Sequence, residues 1–209
     1  NTPANEMDQL NYGIMSYMKP AIVFKHLEAY LGTTEFDEIM QGFYDSWKFK
    51  HPYPEDLKAH FEQATGKNLS WFFDAMLFSN ERLDYALTSA KLVGNEYQLK
   101  VVNKGDIAAP LPVSAIKNEE VVETKWYEGA AGQQEITFPA GDYDDLVIDV
   151  ERWTIDFDRA DNRVRTSSEG ERSGFGIGLI GGIENDKKKQ VYVLPSLGWN
   201  NYDKFMLGL

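Results

Sequence analysis

The chain has 209 residues, of which 43% are hydrophobic and 26% charged, the balance of a globular and not a disordered protein, with length for one large domain or two small ones. A formal net charge of −12 excludes a nucleic-acid surface, which has to be basic to meet phosphates. Cysteine is absent, which excludes disulfides and thiolate metal sites, and no run of about 18 apolar residues marks a membrane helix.

In chain order, the first informative stretch is Asn11-Tyr12-Gly13-Ile14-Met15-Ser16-Tyr17-Met18-Lys19-Pro20-Ala21. Gly13 and Ser16 give it the look of a loop, and Lys19-Pro20 opens a helix, since proline suits a first helical position. Tyr17 then falls just before that helix with its hydroxyl free to face a cleft. A phenol held there can donate to an oxyanion; the competing reading makes Tyr12 and Tyr17 half-buried packing aromatics. Ile22, Val23, Leu27 and Leu31 recur at helical spacing over 19–31, and Gly32 closes the run. Thr34 is the expected cap of a second helix that turns Phe36, Ile39 or Met40, Phe43 and Trp47 inward. Pro54-Glu55-Asp56 starts a third, with Leu57, Phe61 and Ala64 inward and Gly66 at its end. Asn68 caps a fourth, Leu69 to Phe78. These helices make a bundle.

Beyond Arg82 the period becomes two. Strands are expected at Tyr97–Val102, Leu111–Ile116, Val121–Trp126, Gln134–Phe138 and Leu146–Val150, with Asn103-Lys104-Gly105-Asp106 as a turn. Pro110, Pro112 and Pro139 belong at edges or strand starts, and the turn spacing fits an antiparallel sandwich. From Arg163 to Arg172 the polar, Ser/Glu-rich sequence reads as a linker. The acidic excess ends there, because the tail carries five residues of each sign. Gly174–Leu179 and Gln190–Leu194, on either side of a charged turn, read as a hairpin. That hairpin either opens an outer-membrane barrel or packs on the sandwich. The expected fold is thus α+β and multidomain: a helical lobe at 1–83, a β-sandwich at 84–162, and a linker with a β-hairpin tail at 163–209. The start without methionine and the apolar ending read as part of a longer protein.

Few of the usual chemical motifs occur. His26, His51 and His60 form no H-E-x-x-H; His26 and His60 are expected on helix surfaces and His51 at a helix end. No G-x-S-x-G elbow is present. Gly174-Phe175-Gly176-Ile177-Gly178 lacks the helix and acidic residue of a dinucleotide loop. Asp142, Asp144, Asp145, Asp149, Asp156, Asp158 and Asp161 read as a solvated acidic face in preference to a calcium site.

Several motifs in order carry a resemblance: Tyr12-Gly13-Ile14-Met15-Ser16-Tyr17 with Tyr17-Met18-Lys19-Pro20-Ala21, Leu27-Glu28-Ala29-Tyr30-Leu31-Gly32, Phe43-Tyr44-Asp45-Ser46-Trp47-Lys48-Phe49, Pro54-Glu55-Asp56-Leu57, and Phe61 through Phe73. The first ~85 residues resemble the C-terminal helical part of the catalytic domain in zinc aminopeptidases of the aminopeptidase N type, the gluzincins. The later strands are similar to that family's sandwich, and the tail to extensions of Bacteroidetes-type members. The resemblance implies a metallopeptidase parent that removes N-terminal residues from peptides. Tyr17 would be its catalytic tyrosine and Tyr12 the supporting one. Zinc would be bound in the parent by upstream residues, so that this chain alone binds none and is inactive. It further implies partnership with the missing N-terminal part of the catalytic domain, and a periplasmic or outer-membrane location in a Gram-negative bacterium. Members usually carry Gly where Pro20 stands. The alternative is a non-catalytic peptidase-like binding or scaffold module attached to an outer-membrane barrel.

Overall fold

The computed structural model describes residues 8–166, 175–179, 189–193, 196–200 and 204–208. The chain divides into two compact units, Asn1–Thr166 and Ser167–Leu209.

Helix begins at Asp8, whose carboxylate caps the Asn11 N–H at 2.9 Å. Helix α1 (Gln9–Gly13) passes into a π turn (Ile14–Met18) and then α2 (Lys19–Leu31) without a break. The stretch around Tyr12 and Tyr17, expected as a loop, is therefore helical. Pro20 explains how: it has no N–H, and its ring crowds the carbonyl four residues back. The turn ahead of it widens, and the Lys19 N–H bonds the Ile14 carbonyl five residues back, so the helix runs through the proline.

Gly32, at φ 89°, ends α2 and also caps α3 (Thr33–Trp47). Thr34 is consequently not the cap but the second residue of α3. Only glycine turns so sharply at that φ without strain, and the neighbouring Thr33 hydroxyl donates back to Glu28 at 3.0 Å. Helix α4 (Pro54–Thr65) starts at its proline, with Asp56 accepting from the Tyr53 N–H, and stops at Gly66 in the left-handed region. Asn68 accepts the Ser70 N–H, but the N-cap of the π-helical segment that follows, Trp71–Leu77, is Ser70 and not Asn68; the segment buries Phe72, Phe73 and Met76.

The strands are β1 (Tyr85–Val93), β2 (Glu96–Asn103), β3 (Leu111–Lys117), β4 (Glu120–Tyr127), β5 (Gly132–Pro139), β6 (Asp145–Ile148) and β7 (Arg163–Arg165). They form two antiparallel sheets ordered β1-β2-β5 and β4-β3-β6-β7. The fold is α+β, a helical N-terminal part followed by an antiparallel sandwich. Tyr97, Leu99 and Val101 of β2 point inward at period two. Pro112 is the second residue of β3 and Pro139 the last of β5.

Three expectations need correcting here. Arg163–Arg165, read as linker, is β7: Val164 is half-buried and the Arg163 guanidinium lies 2.7 Å from Asp145. Thr166 follows β7 and its N–H bonds the Asp144 carbonyl, and residues 167–172 of that linker lie outside the described residues. In the tail, β8 (Phe175–Leu179) pairs in parallel with β9 (Lys189–Val193), not as a hairpin. The strand–turn–strand pattern behind the hairpin carries no information on direction. The antiparallel pair of the tail comes later, from β10 (Ser196–Asn200) and β11 (Lys204–Gly208). The barrel reading of the tail falls largely outside the described residues. Finally, the acidic residues are not a uniformly solvated face. Asp149 is 2% exposed, accepting from Trp153 N, Thr154 N and the Thr154 hydroxyl and pairing with Arg159 at 2.8 Å. A buried carboxylate is tolerable only with such partners.

One continuous apolar core joins the helices to the sandwich, running from Val23, Leu27, Phe61, Phe72 and Phe73 to Tyr85, Leu99, Leu111 and Phe138. His26 belongs to this seam, although it was expected on a helix surface. It is 0% exposed, because Val23, His26 and Leu27 share one stripe of α2. Its Nε2 lies 2.9 Å from the Pro110 carbonyl, and its ring stacks on Trp126, which in turn stacks on Trp153. Burial pushes its pKa down to about 4, so the ring is neutral at pH 7 and Nε2–H donates. His60 is half-buried, bonded to the Ile39 carbonyl at 3.0 Å, and His51 is exposed.

Candidate active site

In an ideal α-helix, side chains five residues apart diverge by about 140° around the axis. The π turn removes most of that divergence. It brings Tyr12 and Tyr17 to one face, with their hydroxyl oxygens 3.5 Å apart and ring centroids 5.8 Å apart at 76°. Either hydroxyl can donate. Neither ring is a packing residue: Tyr17 is 63% exposed and Tyr12 39%. Bonding to Tyr17 raises the pKa of Tyr12, since a phenol whose proton is shared holds it more tightly. Tyr12 is therefore a protonated donor at neutral pH.

The segment that carries them contributes nothing to the core, as neither α1 nor the π turn has a buried residue. Around the tyrosines it presents Leu10, Ile14, Met15 and Met18, all exposed. The next residue, Lys19, turns inward instead: its ammonium donates to the Ser79 carbonyl at 2.9 Å, and partial burial lowers its pKa. Among the described residues, no group of three His, Cys, Asp or Glu side chains is placed to hold a metal ion.

Two exposed phenols side by side, on a helical face that buries nothing, form a hydrogen-bond donor site directed outward. A family comparison bears on what it is for. Residues 2–76 match the peptidase family M1 domain. The matched segment thus includes Tyr12, Tyr17, Lys19 and helices α1 to α4. The chain is also similar to Aminopeptidase M1-C of Oryza sativa subsp. japonica, with 28% identity over 97 residues, 46% of this chain and 11% of that protein. Among solved structures, Legionella pneumophila aminopeptidase A in complex with aspartic acid superposes with a TM-score of 0.51 at 20% identity. That match covers 61% of this chain and 16% of that one, and at such identity it is a likeness of fold. The chain spans a small part of either relative's length.

The family resemblance read from the motifs between Tyr12 and Phe73 and the M1 match agree on the class. Of the site residues, the sequence singled out Tyr12 and Tyr17, and the structure brings them together. Sequence reasoning missed the inward bond of Lys19, whose only signal was its place in Tyr17-Met18-Lys19-Pro20-Ala21.

Proposed function

We propose that this chain is the C-terminal part of a zinc-dependent aminopeptidase that hydrolyses peptide bonds at peptide N-termini, and that Tyr17 supplies the oxyanion donor. The observation that carries the reading is the exposed Tyr12–Tyr17 pair within the segment that matches the M1 domain. With Tyr12 donating to the Tyr17 oxygen, the Tyr17 proton is left to point at a substrate oxygen, and a phenol that accepts one bond donates the next more strongly. As the carbonyl carbon is attacked, negative charge gathers on its oxygen, and a donor fixed beforehand at that place lowers the barrier. Zinc would serve the parent protein by activating water and polarising the carbonyl. The described residues do not fit a zinc site, so its ligands would come from the upstream part of the catalytic domain, with which this lobe would close the cleft.

The test is Tyr17→Phe in the intact protein, assayed on an aminoacyl amide. The expected fall in kcat is about 100-fold or more, the usual cost of losing one oxyanion donor. A kcat within about twofold of wild type would remove Tyr17 from the mechanism.

A further inference from the structure

A π turn is an uncommon backbone conformation, and this one has little to hold it. The stretch Gln9–Met18 has no residue in the core, so its position against the lobe depends on its junction with α2. Lys19 acts at that junction in two ways. Its backbone N–H closes the π turn on the Ile14 carbonyl. Its side chain crosses 60 positions of sequence to donate to the Ser79 carbonyl at 2.9 Å. The acceptor is itself well fixed: the Ser79 N–H and hydroxyl both bond the Ala75 carbonyl, and Ser79 Oγ accepts the Glu81 N–H. That carbonyl lies just beyond Trp71–Leu77, whose Phe72, Phe73 and Met76 are rooted in the core. An ammonium on a carbonyl is a charge-assisted bond, stronger and shorter than a neutral one. It thus runs from the core of the lobe to the residue that ends the tyrosine-bearing turn.

We propose that Lys19 is the positioning residue of the tyrosine pair: its bond to the Ser79 carbonyl sets the π turn against the lobe and thereby holds the Tyr12 and Tyr17 hydroxyls together. The catalytic half of this statement rests on Tyr17 as oxyanion donor; the geometric half does not. Without the tie, Tyr17 remains on the chain but is no longer held within hydrogen-bond reach of Tyr12. A misplacement of about 1 Å at a catalytic group costs up to ~100-fold in rate.

The experiment compares Lys19→Met, Lys19→Gln and Lys19→Arg with wild type in the intact protein. The first readout is the phenol titration of Tyr12, monitored by fluorine NMR on 3-fluorotyrosine-labelled protein and assigned with Tyr12→Phe and Tyr17→Phe. The second is kcat and KM on an aminoacyl amide. Methionine and glutamine are expected to bring the Tyr12 titration down toward that of a free phenol and to lower kcat about tenfold with KM nearly unchanged. Arginine, which keeps a cationic donor on a long stem, is expected to restore both. If Lys19→Met fails to fold, Lys19→Gln carries the same comparison. An unchanged Tyr12 titration in the Met or Gln variant overturns the positioning role, whatever happens to activity. If Tyr17→Phe leaves kcat intact while Lys19→Met still releases the Tyr12 titration, the oxyanion reading fails and the positioning role stands.

Discussion

Acid should weaken the seam between helices and sandwich through one residue, His26. In the folded chain its pKa is pushed down to about 4 by burial, against an ordinary value of 6.5. The nearby Asp149 carboxylate and the Pro110 carbonyl only partly offset that burial. Above pH 6.5 the ring is neutral both folded and unfolded, and contributes no pH dependence. Between 6.5 and 4 the unfolded chain takes up a proton that the folded chain refuses, so stability falls as pH falls. The slope is about 1.4 kcal/mol per pH unit, or about 3 kcal/mol across the window. Asp156 acts in the opposite sense. Burial raises its pKa to about 6, so its contribution is present at low pH and is lost as pH rises through 6. The wild-type curve alone would therefore look flat. The informative quantity is the difference between wild type and His26→Leu, measured by urea unfolding at steps from pH 7 to pH 4. Tryptophan emission is a suitable probe, because Trp71 and Trp126 flank His26. Leucine leaves the Pro110 carbonyl without its donor but also removes a buried Nδ1 that has no partner. The gap at pH 7 is therefore a balance, and its change with pH carries the test. The variant should gain about 3 kcal/mol on wild type over the window. Parallel curves from pH 7 to pH 4 would refute the assignment.

Two further substitutions probe what holds the sandwich. Asp149→Ala removes the partner of Arg159 and three hydrogen bonds from a site that is 2% exposed, and should cost about 3–5 kcal/mol in urea unfolding; a loss below ~1 kcal/mol would contradict it. Gly129→Ala would put a Cβ 2.1 Å from the Ala109 carbonyl and 2.3 Å from the Tyr85 hydroxyl, breaking the 2.8 Å bond between them. It should destabilise by about 1–3 kcal/mol as overpacking does, whereas Gly13→Ala, with nothing within 4 Å, should be neutral or stabilising on thermal unfolding.

The helical half was legible where backbone chemistry is local. Gly32, Pro54 and Gly66 fix helix ends by their own φ preferences, and those ends fall where the residues place them. What escaped was set by contacts distant in sequence. Strand β1 was overlooked because Tyr85, Ala86 and Leu87 are buried in succession and a register shift comes before Ser89, which erases the period of two. His26 reads as a surface residue although its spacing from Val23 puts it on the inner stripe, because its acceptor lies 84 positions away. In the site, the types and order of Tyr12 and Tyr17 were readable. Their meeting was not: at helical spacing they diverge, and only the π turn beside Pro20 closes the gap.

The seam also has a history within each molecule's synthesis. His26 waits for a carbonyl at residue 110, and Tyr30, which touches Trp71 and Trp126, waits for Glu128, 98 positions further on. At ribosomal speed, about 5–20 residues per second, those partners emerge roughly 4–20 s after the α2 residues they meet. For that interval His26 and Tyr30 of α2 would lack the sandwich groups that meet them in the fold. The same long-range closure that makes helices and sandwich one core thus leaves α2 without its last partners until β4 and Glu128 have emerged.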